Sequence, residues 1–146
     1  MIPLKIAVAS DHAGYTTKED IKRYLESLGH QVWDFGTHSE GSVDYPDFVH
    51  PLAIAVERGE YVLGFLFCGS GNGVSITANK HQGIRSALCW NAEIASLARQ
   101  HNDANVCAIP ARFVSISEAK QIAKAFLDAK FEGGRHQTRV DKIPAK

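Results

Sequence analysis

Sixteen basic and sixteen acidic side chains balance over 146 residues, so no broad field argues for nucleic acid or a membrane as partner, and any cationic site must be local. That length suits one domain, residues 1–146, able to bury its core without disulfide or metal staples. Cys68, Cys89 and Cys107 are odd in number and form no Cys-x-x-Cys pair. Together with the lack of a signal-peptide pattern or a bilayer-length apolar run, they lead us to expect a cytoplasmic protein with free thiols.

Residues 5–9 read as an apolar strand that ends in the polar run Ser10-Asp11-His12-Ala13-Gly14. The helix after it is signed by a capping-box match, Thr16-x-x-Glu19, by Ile21, Tyr24, Leu25 and Leu28 at helical spacing, and by Gly29 at its end. Residues 31–35 alternate as a strand at a sheet margin does. A polar loop then leads to Asp44-Tyr45-Pro46-Asp47 and a helix carrying Leu52, Ala53, Ala55 and Val56, closing at Gly59. Pro51 leaves two starts open for that helix: near Asp47 with the proline in the first turn, or at His50 as cap with Pro51 first in the helix.

Residues 61–68 are the most continuous apolar run and predict a central strand buried on both faces. They deliver Cys68-Gly69-Ser70-Gly71-Asn72-Gly73 to the start of a short helix. Residues 83–90 give a fourth strand, and Asn91 caps a helix on which Ile94, Leu97, Ala98 and His101 share the apolar face. Residues 106–110 form a fifth strand. Ser115-x-x-Glu118 is a second capping-box match, opening a helix with Ala119, Ile122, Ala123, Phe126 and Leu127 inward, and residues 130–146 read as a polar, basic tail. Strands alternating with helices at this spacing call for right-handed crossovers. The expected class is α/β, one doubly wound, Rossmann-like domain on a five-stranded parallel sheet with a C-terminal tail extension. Ligands of such sheets bind beyond the C-terminal strand ends, where Asp11-His12, residues 68–70 and the segment after Ile109 all belong.

Alternate glycines let main-chain N–H groups converge on an anion, and Cys68 stands where a helix terminus favours the thiolate. The alternative is an inert buried cysteine, the reading given to Cys89 and Cys107. Neither a dinucleotide fingerprint nor a P-loop fits, since Gly69-x-Gly71-x-Gly73 lacks both spacings. His101 is either a helix-terminal histidine favoured by the dipole or a proton relay meeting another element or subunit. Arg135 and Arg139 stand four apart, as a solvated basic tail or as a fork for a phosphate dianion. The histidines show no ligand spacing, so no bound metal is expected.

Asp11-His12-Ala13-Gly14, Asp44-Tyr45-Pro46, the Cys68–Gly73 loop with Ala78-Asn79-Lys80, Gly83-Ile84-Arg85, Arg99-Gln100-His101-Asn102-Asp103 and Glu132-Gly133-Gly134-Arg135-His136-Gln137-x-Arg139-Val140 together resemble the ribose-5-phosphate isomerase B family. That family also contains the galactose-6-phosphate isomerase subunits. The resemblance implies a metal-free, cofactor-free interconversion of ribose 5-phosphate and ribulose 5-phosphate through a cis-enediolate, in the pentose phosphate pathway. It casts Cys68 as the general base, the Gly69, Ser70, Gly71, Asn72 and Gly73 backbone as the anion hole, Ser70 as the hydroxyl assisting O1–O2 proton movement, and His101 as the ring-opening acid. Asp11, His12, Tyr45, Asn102, Arg112, Arg135 and Arg139 match substrate-binding positions, with His12 and the two tail arginines at the phosphate. Many members carry threonine where Ser70 stands, and one subgroup uses a glutamate where Ser75 stands, which makes this chain resemble the cysteine type. The resemblance further implies a homodimer with shared sites, in some members a tetramer. Two rivals stay open: a hexose-phosphate isomerase of the same family, for galactose 6-phosphate or allose 6-phosphate, and a non-catalytic anion-binding or thiol-redox module on a flavodoxin-like sheet.

Overall fold

Five parallel strands form the sheet of the computed structural model, which describes residues 2–145. In chain order the elements are β1 (Lys5–Ser10), α1 (Tyr15–Ser27), β2 (Gln31–Asp34), α2 (Pro46–Glu57), β3 (Leu63–Cys68), α3 (Asn72–Ala78), β4 (Ser86–Leu88), α4 (Ala92–Asn102), β5 (Val106–Pro110), α5 (Ile116–Asp128) and α6 (Arg135–Asp141). The spatial order is β2-β1-β3-β5-β4, which places β2 at one margin and the fully buried β3 at the centre.

Period-two alternation splits the core into two layers. Ile6, Val8, Phe65 and Phe67 face α1, α4 and α5 through Ile21, Leu25, Ala95, Ile122 and Phe126. Ala7, Ala9, Leu66 and Cys68 face α2 and α3 through Val49, Leu52 and Val74. Phe65 and Phe126 meet edge to face, with ring centroids 5.5 Å apart, a geometry worth about 0.5–1.5 kcal/mol beyond the area buried.

This strand order positions the site. The chain leaves β1 toward β2 on one side and leaves β3 toward β5 and β4 on the other, so the sheet's switch point lies between β1 and β3. Ser10 pairs with Phe67 and Cys68 with Pro110, bringing the turns after β1, β3 and β5 side by side.

Local signals held at some helix ends and failed at others. Asn91 accepts the Ile94 N–H at 2.9 Å, and both arms of the Ser115–Glu118 capping box form, at 2.8 and 3.0 Å. The box expected at Thr16 does not form. Asp11 Oδ1 takes the Gly14 N–H at 3.0 Å and Lys18 N–H already bonds Gly14 O at 2.9 Å, so the helix starts earlier and the Thr16 hydroxyl turns to Glu40. Helix α2 starts at Pro46, with Pro51 beyond its first turn and exposed. There its missing N–H costs one helical bond on the solvent side. The tail is not simply extended: Gly133 and Gly134, at φ 68° and 57°, turn it into α6, which anchors on the core through buried Val140. No described helix is long and apolar enough to cross a membrane.

One buried histidine makes stability depend on pH. His30 is 5% exposed and its Nδ1 accepts the Leu4 N–H at 3.1 Å. Burial, with the Lys124 charge adding to it, holds its pKa below the ordinary imidazole value. The folded state therefore binds this proton less readily than the unfolded chain does. Its contribution is intact above about pH 6.5 and is lost progressively as pH falls from there toward the depressed folded value. Urea midpoints should fall between about pH 7 and 5, and His30→Asn should flatten that decline.

Candidate active site

Asp11, His12 and Ala13 after β1, Cys68, Gly69, Ser70 and Gly73 after β3, Tyr45 at the cap of α2, and Arg112 and Phe113 after β5 line one cavity of about 400 Å³. The segments after β1, β3 and β5 reach it because their strands end at the same sheet edge, and Tyr45 enters from the loop that leads into α2. Cys68 is 5% exposed, and its Sγ accepts the Gly71 N–H at 3.2 Å. Gly71 needs φ 78° to aim that amide back at the sulfur, and a Cβ there would lie 2.5 Å from Leu88. The Asn72 N–H similarly turns to Ser70 Oγ at 3.2 Å. Gly71 and Asn72 thus shape the loop from behind and do not line the cavity.

Flanking groups hold the walls. Asp11 is buried, spending Oδ1 on the Gly14 amide. His12 Nδ1 accepts the Val43 N–H at 3.2 Å, which assigns the ring proton of a neutral His12 to Nε2. That bond also ties Val43, at the end of the 37–43 loop, to the wall of the cavity. Tyr45 closes over Gly73, where a Cβ would stand 2.5 Å from the ring. Arg112 donates its N–H to Gly69 O at 3.0 Å and folds its side chain over Gly69. Ser75 bonds Ser86 Oγ at 2.9 Å and is turned away from the cavity.

A second group lies elsewhere on the same chain. His101, Asn102, Arg135 and Arg139 are absent from the Cys68 cavity. Asn102 lines a separate cavity of about 490 Å³ beside Lys80, Arg85 and the 143–145 segment. Although larger, that cavity contains no cysteine and no part of the glycine loop. His101 stacks on His136, and both ring Nε2 atoms approach Glu132 Oε1, at 3.7 and 3.5 Å. Arg135 and Arg139 are exposed one helical turn apart on α6, with no salt bridge among the described residues. His12 and these arginines are therefore not brought together within one chain.

The end of α4 is set by residues that sequence reasoning quoted only as part of a motif. Asp103 adopts a left-handed φ of 48°, uncommon for a residue with a side chain. Arg85 bonds its carbonyl at 2.8 Å, and Arg85 and Arg99 stand 3.5 and 3.6 Å from its carboxylate. This bracket fixes the His101-Asn102 turn. The Glu132–His136 contact with His101 was also missed, since nothing in local spacing links residues so far apart.

The model of the ribose/galactose isomerase family matches residues 6–143. The chain is 47% identical to ribose-5-phosphate isomerase B of Escherichia coli over 141 residues, 97% of this chain and 95% of that protein. Its fold superposes on ribose-5-phosphate isomerase B of Clostridium thermocellum with a TM-score of 0.95 at 49% identity, covering 96% and 95% of the two chains. It likewise superposes on the Mycoplasma genitalium enzyme, solved with bound ribulose-5-phosphate, with a TM-score of 0.93 at 43% identity over 98% and 95%. With matches of this extent, the chain belongs to the ribose/galactose isomerase family.

Proposed function

We propose that this protein interconverts ribose 5-phosphate and ribulose 5-phosphate, and that Cys68 is its proton-transfer base. The observation that carries the reading is the sulfur itself: it ends the switch-point strand, lines the cavity with Asp11, His12, Ser70 and Arg112, and receives an amide N–H. A donor at that position solvates the thiolate form without blocking its approach to carbon.

In the ring-opened aldose, Cys68 removes the C2 proton. The electron pair forms the C1–C2 double bond, and charge gathers on the former carbonyl oxygen O1. The loop amides of Gly69, Ser70 and Gly73 supply the anion hole, where one preorganised donor contributes about 2.7–4 kcal/mol. Ser70 Oγ shuttles the hydroxyl proton from O2 to O1, and the Cys68 thiol so formed gives its proton to C1, which regenerates the thiolate. Asp11 and Tyr45 hold sugar hydroxyls, and Arg112 reaches over Gly69 toward the same ligand. Ring opening before this step requires an acid at the ring oxygen, the role of His101, with Asn102 on a hydroxyl.

Those last two residues, with Arg135 and Arg139, sit on the α4–α6 side of the chain. We therefore assign the complete site to a homodimer, in which one copy's α4–α6 face closes the partner's Cys68 cavity and its two arginines meet His12 around the phosphate. The whole chain acts as one unit in this arrangement, as a cytoplasmic enzyme of the non-oxidative pentose phosphate pathway. A coupled assay on five- and six-carbon aldose phosphates tests the substrate. Ribose 5-phosphate should give the highest kcat/KM; higher values for galactose 6-phosphate or allose 6-phosphate would replace it with a hexose phosphate, and no turnover of any would contradict the reading.

A further inference from the structure

Seven histidines are spread along the chain without a ligand-like spacing, yet folding brings two of them to one carboxylate. His101 is the next-to-last residue of α4 and His136 the second of α6. Their rings stack with centroids 4.3 Å apart and planes within 9° of parallel. Glu132 lies one turn before His136, and one ligand atom from each of the three residues falls within 4.8 Å of the others. The Glu132 N–H donates to Gln100 O at 3.0 Å, tying the approach to α6 directly onto α4. Among the described residues, Glu132 forms no salt bridge to a lysine or arginine.

We propose that His101, Glu132 and His136 form a binding site for a divalent transition ion of the zinc class, and that the bound ion inhibits the enzyme. The inhibitory half rests on the reading of His101 as the ring-opening acid. Two imidazoles and one carboxylate supply three ligands and leave one tetrahedral position for water or a sugar oxygen. Zinc bonds nitrogen at about 2.0–2.1 Å and carboxylate oxygen at about 2.0–2.2 Å, so ligand atoms around it stand about 3.0–3.5 Å apart. The present N–O separations are 3.5 and 3.7 Å, and the histidine nitrogens, within 4.8 Å of each other, close on the ion as the two rings tilt out of their stack. The side chains of His101 and Glu132 are 41% and 52% exposed, which leaves them room to do so. Two imidazole donors disfavour magnesium and calcium, which prefer oxygen ligands. Once its Nε2 is bonded to the ion, His101 cannot carry a proton at that atom.

The test uses the full chain, stripped of metal with chelator, and reads binding apart from activity. Zinc is titrated calorimetrically and cobalt by its visible absorption, on the wild type, His136→Ala and Glu132→Gln, with folding checked by thermal melts. One ion per chain is expected, with affinity at least tenfold weaker in both variants and no competition from magnesium. Zinc should also lower wild-type turnover of ribose 5-phosphate, chelator should restore it, and both variants should resist inhibition. Absence of binding overturns the site, as does binding unchanged in both variants but lost in Cys68→Ser, which would place the ion on the thiol. Binding as expected with turnover unaffected overturns the inhibitory role. A metal-free wild type that binds zinc but turns over no sugar phosphate overturns the isomerase reading while leaving the site standing.

Discussion

Cys68→Ala is expected to lower kcat by about 10²–10⁴-fold, the range that a positioned general base contributes, while sugar-phosphate affinity stays within a few-fold. No neighbour is placed to take over. Asp11 is committed to the Gly14 amide, Ser75 is turned toward Ser86, and Ser70 carries a hydroxyl, a far weaker base than a thiolate. The groups that hold the sugar and phosphate are untouched by the substitution, so binding and chemistry separate. Stopped assays for kcat, with calorimetric titration of ribose 5-phosphate for affinity, resolve the two. Full activity in the variant would remove Cys68 from the mechanism.

The largest expected effect on stability lies behind the site. Lys18 is fully buried, and its ammonium lies 2.5 Å from Asp34 and 2.9 Å from Glu19, with Lys22 also 3.3 Å from Asp34. Burial alone would raise the Asp34 pKa, but the Lys18 ammonium, the Gly36 N–H and Lys22 outweigh it and hold the carboxyl below its ordinary value. Asp34 thus contributes stability that is present above about pH 3.9, the ordinary carboxyl value, and is lost as pH falls through the depressed folded value. Asp34→Ala should cost about 3 kcal/mol, the lower end for stranding one partner of a buried pair, because Glu19 still faces the ammonium. At this chain length that lowers Tm by roughly 6–12 °C. Asp34 Oδ1 also accepts the Gly36 N–H at 2.8 Å, and Gly36 O and Thr37 N–H clamp Ser10 at 2.7 and 2.9 Å, so the loss spreads toward Asp11. Adding Lys18→Met to Asp34→Ala should recover much of the stability, since an apolar replacement of both partners strands no charge. Thermal melts of the single and double variants decide it, and a double variant no better than the single would contradict the argument.

The architecture was readable from the chain because its signals are local. Apolar runs of strand length, glycine breaks and capping residues such as Asn91 and Ser115 each act within a few positions, and they give element types and the parallel sheet. Residues 61–68 revealed a central strand because both their faces are apolar. Signals failed where a nearby group competed: Asp11 captured the Gly14 amide and began α1 before Thr16 could cap it. The tail looked merely basic because a seven-residue helix is too short for its own periodicity and owes its place to Val140. For the site, the sheet-edge rule alone predicted that Asp11-His12, Cys68-Ser70 and the segment after Ile109 would lie together. Position and spacing left the roles of Cys68, His101 and the Arg135–Arg139 pair as open alternatives, and the resemblance chose among them. The His101–Glu132–His136 cluster was illegible because it depends on contacts between residues far apart in sequence, whereas a His101 that meets another element or subunit was one of the readings its helix position left open.

In the proposed homodimer, each chain carries the Cys68 half-site and the His101 half-site, and the two are expected to work together only across two copies. Mixing Cys68→Ala chains with His101→Ala chains, each nearly inactive alone, tests it directly. After subunit exchange at equal amounts, hybrid dimers hold one intact site each, and turnover should rise to about a quarter of the wild-type value by random pairing across a two-fold axis. A mixture whose hybrids are verified by mass spectrometry yet remains no more active than its parents would contradict the account.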